Sequence, residues 1–90
     1  MGASLTVIQK EIGEWHRRHF NEPDGDWPRE ILRKAMSELG ELADAHARGQ
    51  DDAARDAIGD TLVSLIGYAE RRGWYAAEIL DEVWLDVSLR

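Results

Sequence analysis

A chain of 90 residues with a net charge of −7, a sequence pI near 4.8 and no cysteine is already bounded before any motif is read. A single domain of this size buries only about 60% of the surface its unfolded chain exposes, so a marginal core and self-association are expected. The missing cysteines exclude disulfides and thiolate zinc sites, and the acidic balance opposes the phosphate-backbone attraction on which binding to a nucleic-acid polymer depends.

The first residues, Met-Gly-Ala-Ser-Leu-Thr-Val-Ile, lack a basic segment followed by a long apolar run. No later run approaches the roughly 20 apolar residues needed to span a bilayer. A soluble protein without membrane contact is expected, and the composition fits the cytoplasm.

The apolar spacing predicts helix almost throughout. A first helix runs from about Ser4, a possible N-cap, to about Phe20, with Leu5, Ile8, Ile12, Trp15 and His19 at three- and four-residue spacing. Asn-Glu-Pro-Asp-Gly-Asp then forms a turn, after which Asp26 or Trp27 caps a second helix carrying Pro28 in its first turn. That helix ends near Arg48-Gly49, and Asp51 and Asp52 open a third, which stops at Arg71-Arg72-Gly73. A fourth follows from about Trp74 to Leu89. No segment alternates as a half-buried strand would. The whole of 1–90 therefore reads as one all-α domain, an antiparallel helical bundle of about four helices with short loops.

Four carboxylates stand out against this pattern. Asp60 is the only charged residue in the run from Ala57 to Ala69, so it is expected where a helix is normally buried. A buried, unpaired carboxylate costs several kcal/mol unless a cation, a proton or a set of donors compensates it. Asp56 lies one turn earlier on the same face, with Ala53, Ser64 and Gly67 as small neighbours that leave room for a metal and a ligand. On the second helix Ile31, Leu32, Ala35, Leu39, Leu42 and Ala43 form an apolar arc, with Glu38 and Glu41 at its edge and Lys34 one turn before Glu38. Two acidic pairs on facing antiparallel helices can converge on one point, and oxygen-only ligation favours Mg²⁺ or Mn²⁺. The bland alternative is a solvated acidic surface, with Asp56 merely complementing its helix dipole.

The run Lys34-Ala-Met-Ser-Glu-Leu-Gly-Glu-Leu-Ala-Asp, followed by Asp56-Ala-Ile-Gly-Asp-Thr-Leu-Val-Ser-Leu-Ile-Gly-Tyr-Ala-Glu, resembles the MazG-type, all-α nucleoside triphosphate pyrophosphohydrolases. Their signature is Glu-x-x-Glu on one helix and Glu-x-x-Asp on the next. The chain departs from it once: Ala57 stands three before Asp60, where glutamate is usual, and the acid is Asp56 instead. The resemblance implies Mg²⁺-dependent cleavage of a nucleoside triphosphate between its α and β phosphates. Glu38, Glu41, Asp60 and Asp56 would hold metal, and Glu38 or Glu41 would act as general base. It also implies that Lys34 contacts a phosphate, although an i, i+4 pairing with Glu38 explains that lysine equally well.

Base recognition would fall to Trp15, His16, Phe20 and Trp27. Aromatics at helical spacing more often belong to a core, which is the expectation for Trp15 and Phe20; Trp27, beside Pro28, is the better ligand candidate. Arg17 and Arg18 either approach phosphates or are solvated, and His46 is a surface or boundary residue. Leu80, Val83, Trp84 and Val87 are expected to pack the fourth helix on the bundle or on a second subunit, in a homodimer or homotetramer. Phosphoribosyl-ATP pyrophosphohydrolase shares the scaffold and the bond cleaved, and a non-catalytic helical dimerisation or partner-binding module is the reading outside enzymes.

Overall fold

Local chemistry fixes the starts of α1 and α2 and the ends of α2 and α3. The computed structural model describes residues 4–20 and 25–90, and these form α1 (Leu5–His19), α2 (Trp27–Ala47), α3 (Asp51–Arg71) and α4 (Ala76–Ser88), with no strand among the described residues. The turn expected at 21–24 lies outside them. Ser4 caps α1, its hydroxyl accepting from the Val7 amide at 3.3 Å, and Asp26 caps α2 by accepting from Arg29 at the same distance. Gly49 (φ 67°) and Gly73 (φ 76°) take the left-handed conformation that ends α2 and α3, a position where a side chain would be strained.

The fourth helix starts two residues later than its sequence suggests, and the cause is distant in sequence. The buried Gln9 side chain accepts from the Ala76 amide at 2.7 Å, while its own amide donates to the Trp74 carbonyl at 2.8 Å and to Glu70 at 3.0 Å. One side chain of α1 thus anchors the end of α3 and the start of α4, with no side-chain cap from Tyr75.

The backbone of the fold is the α2–α3 hairpin, two helices of 21 residues each joined by a tight turn. Its seam is made of Ile31, Ala35, Glu38 and Ala45 from α2 and Ala57 and Ser64 from α3, all buried, while the buried Gly67 of α3 faces α1. Apart from Ile31 and Glu38 these are small, which lets the helices approach closely but gives little apolar volume. The first helix packs along α3 through Gln9, Gly13 and His16, and α4 touches α1 and α3 lightly.

The packing differs from the expected apolar arcs. Leu32, Leu39 and Ala43 of α2 are exposed, and Trp15 and His19 of α1 are exposed while the polar Gln9 and His16 are buried. No residue of α4 is buried: Leu80 and Val83 only border a groove against α1 and α3, and Trp84 and Val87 stay largely open. The seam selects small or hydrogen-bonding residues, and the larger side chains fall on its flanks. Among the described residues no helix is long and apolar enough to cross a membrane.

Candidate functional site

On one flank of the hairpin two cavities lie next to each other and share Asp60 as a wall. The first, about 320 Å³, is walled by Trp15, Phe20 and Val63, with His16, Ser64, Glu38 and Lys34 as its polar lining. The second, about 300 Å³, is lined by Glu41, Asp44, Asp56 and Gln50 over the alanines Ala45, Ala53 and Ala57. Antiparallel packing produces this order, because residues early in α2 face residues late in α3.

The burial expected for Asp60 belongs to Glu38. Asp60 is exposed, whereas Glu38 is only 8% exposed. An apolar stretch around Asp60 does not bury it, since Ile58, Leu62 and Leu65 point to the other flank and are themselves exposed. Glu38, at the expected edge of the α2 arc, sits instead in the seam. Its Oε1 accepts from Lys34 Nζ at 3.4 Å, and its Oε2 is buried with no partner.

Glu41, exposed one turn on, is held above its ordinary value of 4.5, first by a hydrogen bond shared with Glu38, then by the Glu38 charge, with desolvation and Asp60 adding to it. A hydrogen bond between two carboxyls requires a proton on one of them. With both ionised, Glu38 Oε2 has no donor and faces a like charge, which is the condition a cation relieves. The donor set, all oxygen, suits Mg²⁺ or Mn²⁺. As the side chains stand, no three acidic or histidine groups among the described residues surround a single point closely enough to hold an ion. Asp56 joins Glu41 and Asp60 around the second cavity and is separated from Glu38. Ala57, where a glutamate would complete the expected spacing, is 3% exposed and lines the same cavity.

His16 is the best-defined side chain of the first cavity. It is 2% exposed, its ring resting directly against Gly67, where any Cβ would overlap it. Gly67 thus makes room for an imidazole rather than for a ligand. Burial and then the Arg71 charge push His16 below 6.5, against a pull from the Val63 backbone, so the ring is neutral at pH 7. Its Nδ1 is buried without a partner.

Trp15, expected in the core, lines the cavity half-open, stacked on His19 at 4.0 Å and 22°. Trp27, expected to be the better ligand residue, is elsewhere. It packs 5.9 Å from Tyr68 under the Arg71 guanidinium, 4.3 Å from its ring, and lines a separate small cavity with His19, Phe20, Gly25 and Glu30. Arg17 pairs with Glu70 at 3.3 Å, and Arg18 and His46 are exposed away from the acids. Sequence reasoning missed Val63 as a wall of the cavity; its signal was an apolar residue three beyond Asp60. No protein-family model, curated protein or solved structure matches the chain.

Proposed function

We propose that the chain is a Mg²⁺-dependent nucleoside triphosphate pyrophosphohydrolase, cleaving the α–β phosphoanhydride to give a nucleoside monophosphate and pyrophosphate. The observation that carries this reading is the buried Glu38 oxygen without a donor, which lines an aromatic-walled cavity together with Asp60 and interacts with Glu41 of the adjoining cavity. Acids alone favour no ligand; acids that need a cation, adjoining a cavity of about 320 Å³, at the small end of ligand sites, suit a metal-bound nucleotide. The MazG-like order of the same residues supports the same reading.

Glu38, Glu41 and Asp60, with Asp56 from the second cavity, would hold the metal, which when bound neutralises triphosphate charge and orients water. Trp15 and Phe20 would flank the base and exclude water from it, and His16 would offer its free Nδ1 to a base edge. Lys34, half exposed on its 3.4 Å contact with Glu38, can swing to a phosphate oxygen. Glu41 is the better general base, because it is open to water while Glu38 is enclosed. Nucleotide-pool cleaning or control in the cytoplasm, by a homodimer or homotetramer, is the setting that fits.

The deciding experiment is incubation of the purified chain with each nucleoside triphosphate and Mg²⁺, followed by assay for pyrophosphate. Pyrophosphate with an equal amount of monophosphate is the expected result. Release of orthophosphate, or no product from any nucleotide, would overturn the reading. Hydrolysis confined to phosphoribosyl-ATP would move the substrate to histidine synthesis. The exposed apolar flank favours a helical self-association module as the second reading, and that reading predicts no product at all.

A further inference from the structure

Two side-chain atoms among the described residues are buried without a partner, His16 Nδ1 and Glu38 Oε2, and both residues line the aromatic-walled cavity. A cation answers the need of Glu38. Nothing in the chain answers that of His16, whose neutral imidazole carries one donor nitrogen and one acceptor nitrogen. The backbone at Val63 draws a proton onto the ring, as an accepting carbonyl does, and Nδ1 has no partner. The donor is therefore Nε2–H, and Nδ1 keeps its lone pair. The imidazole is tilted 63° from Trp15 and 44° from Phe20, with centroids 5.5 Å and 5.4 Å away. A planar base stacked on either aromatic meets the imidazole at an angle, an approach that suits a hydrogen bond better than a second stack. Arg71, whose charge the ring also feels, donates to the Phe20 carbonyl at 2.7 Å and lies over Trp27, outside the cavity lining. Its guanidinium is thus not placed to donate to a base.

Resting on the nucleotide reading above, we propose that His16 selects the base: its Nδ1 accepts from an exocyclic amino group, so cytosine and adenine nucleotides are preferred over their oxo counterparts, uracil and hypoxanthine. Within each pair the bases share size and stacking surface, so cavity volume and the Trp15 and Phe20 walls do not separate them. The polar edge does. An amino group gives the buried Nδ1 the donor it lacks, whereas a carbonyl sets one lone pair against another where water does not intervene. Uracil keeps a donor at N3, but that N–H is recessed between two carbonyl oxygens. Reversing the imidazole tautomer to suit a carbonyl would turn the other lone pair toward the Val63 backbone, so the ring does not adapt without loss. Ser64, which also lines the cavity, can either donate or accept through its hydroxyl and so leaves the choice to His16.

The test compares kcat/KM for CTP against UTP, and for ATP against ITP, at saturating Mg²⁺. Each amino nucleotide is expected to exceed its oxo partner by about 10- to 100-fold. His16→Phe, which removes the nitrogen but keeps an aromatic ring, is expected to bring both ratios close to unity. Two further readouts need neither that variant nor hydrolysis. By calorimetry the wild-type chain is expected to bind CMP more tightly than UMP by a similar factor. By NMR of the imidazole nitrogens, His16, one of three histidines, is expected to show an unprotonated Nδ1 at neutral pH that shifts with CMP and not with UMP. Equal or reversed ratios, a His16→Phe chain that keeps the preference, or a protonated Nδ1 would each overturn the proposal. Absence of hydrolysis with CMP still bound more tightly than UMP would overturn the reaction and leave the base selection standing. Absence of hydrolysis with CMP and UMP bound alike would overturn both.

Discussion

The two flanks of the α2–α3 hairpin share helices, length and seam, yet they carry opposite chemistry. One presents Glu41, Asp56 and Asp60 beside two cavities, and the other presents Leu32, Met36, Leu39, Ile58, Leu62 and Leu65 to solvent. The difference shows that the seam, although it holds Ile31 and three of the four buried alanines, is too narrow to cover either flank. Small side chains bring the helices together, and a narrow seam leaves both flanks free to specialise. On the proposed reading the acidic flank takes a cation, while the apolar flank stands open to solvent.

The sharpest way to break this contrast is Asp60→Ala. Asp60 is exposed, so the fold should keep its helicity while pyrophosphate release and stabilisation by Mg²⁺ are both lost. Survival of both would remove Asp60 from the site. Glu41→Gln should lower kcat by about 10²–10⁴-fold if Glu41 is the base, measured at saturating Mg²⁺.

Ile31→Ala tests the seam instead of the flanks. Ile31 is the largest fully buried apolar side chain, and its truncation should cost about 2–5 kcal/mol by denaturant unfolding. Gly67→Ala should cost about 1–3 kcal/mol and displace His16, raising KM for the preferred nucleotide more than it lowers kcat. An unchanged KM would mean that His16 does not border the bound base.

The pH dependence separates the flanks again. Glu41 has a raised proton affinity in the folded state, so its contribution to stability is full below about 4.5 and is lost as pH rises past that value. Mg²⁺ should therefore raise Tm clearly at pH 7.5 and little at pH 4.5. His16 has the opposite sign, being lowered when folded, so its contribution is present above 6.5 and is lost as pH falls. Thermal scans across pH 4 to 8, with and without Mg²⁺, read both trends, and His16→Gln should remove the second. The smallest effect is expected from Asp56→Ala, less than tenfold in kcat/KM, because Asp56 reaches only the second cavity. A loss equal to that of Asp60→Ala would make it a full metal ligand.

The helices were legible because their signals are local. Ser4 and Asp26 cap through the amide three residues on, Pro28 sits in a first turn, and Gly49 and Gly73 end helices. That Glu41, Asp56 and Asp60 share one flank was legible too, from helical spacing and an antiparallel turn; the expected convergence of all four acids on one point is not what the side chains show, since Glu38 and Asp56 line different cavities. Which acid would be buried was not legible. Asp60 is surrounded by apolar residues in sequence, but on a helix those neighbours point elsewhere, and a rotation of the seam by a fraction of a turn placed Glu38 inside. The same rotation exposed the Leu32 and Leu39 arc and left Trp15 at a cavity. Trp27 was taken by Arg71, a residue 44 positions away, a cation–π contact that no local pattern shows.

By itself, then, the sequence determined the limits of α1, α2 and α3 and the acidic and apolar stripes along α2 and α3, because caps, turn glycines and a 3.6-residue period act within a few residues. Only the tertiary structure decided which stripe became seam, which became flank, and that His16 and Glu38 keep buried atoms without partners. Those outcomes depend on the rotation of one helix against another, and that rotation is set by the sizes of side chains meeting across the seam from distant parts of the chain.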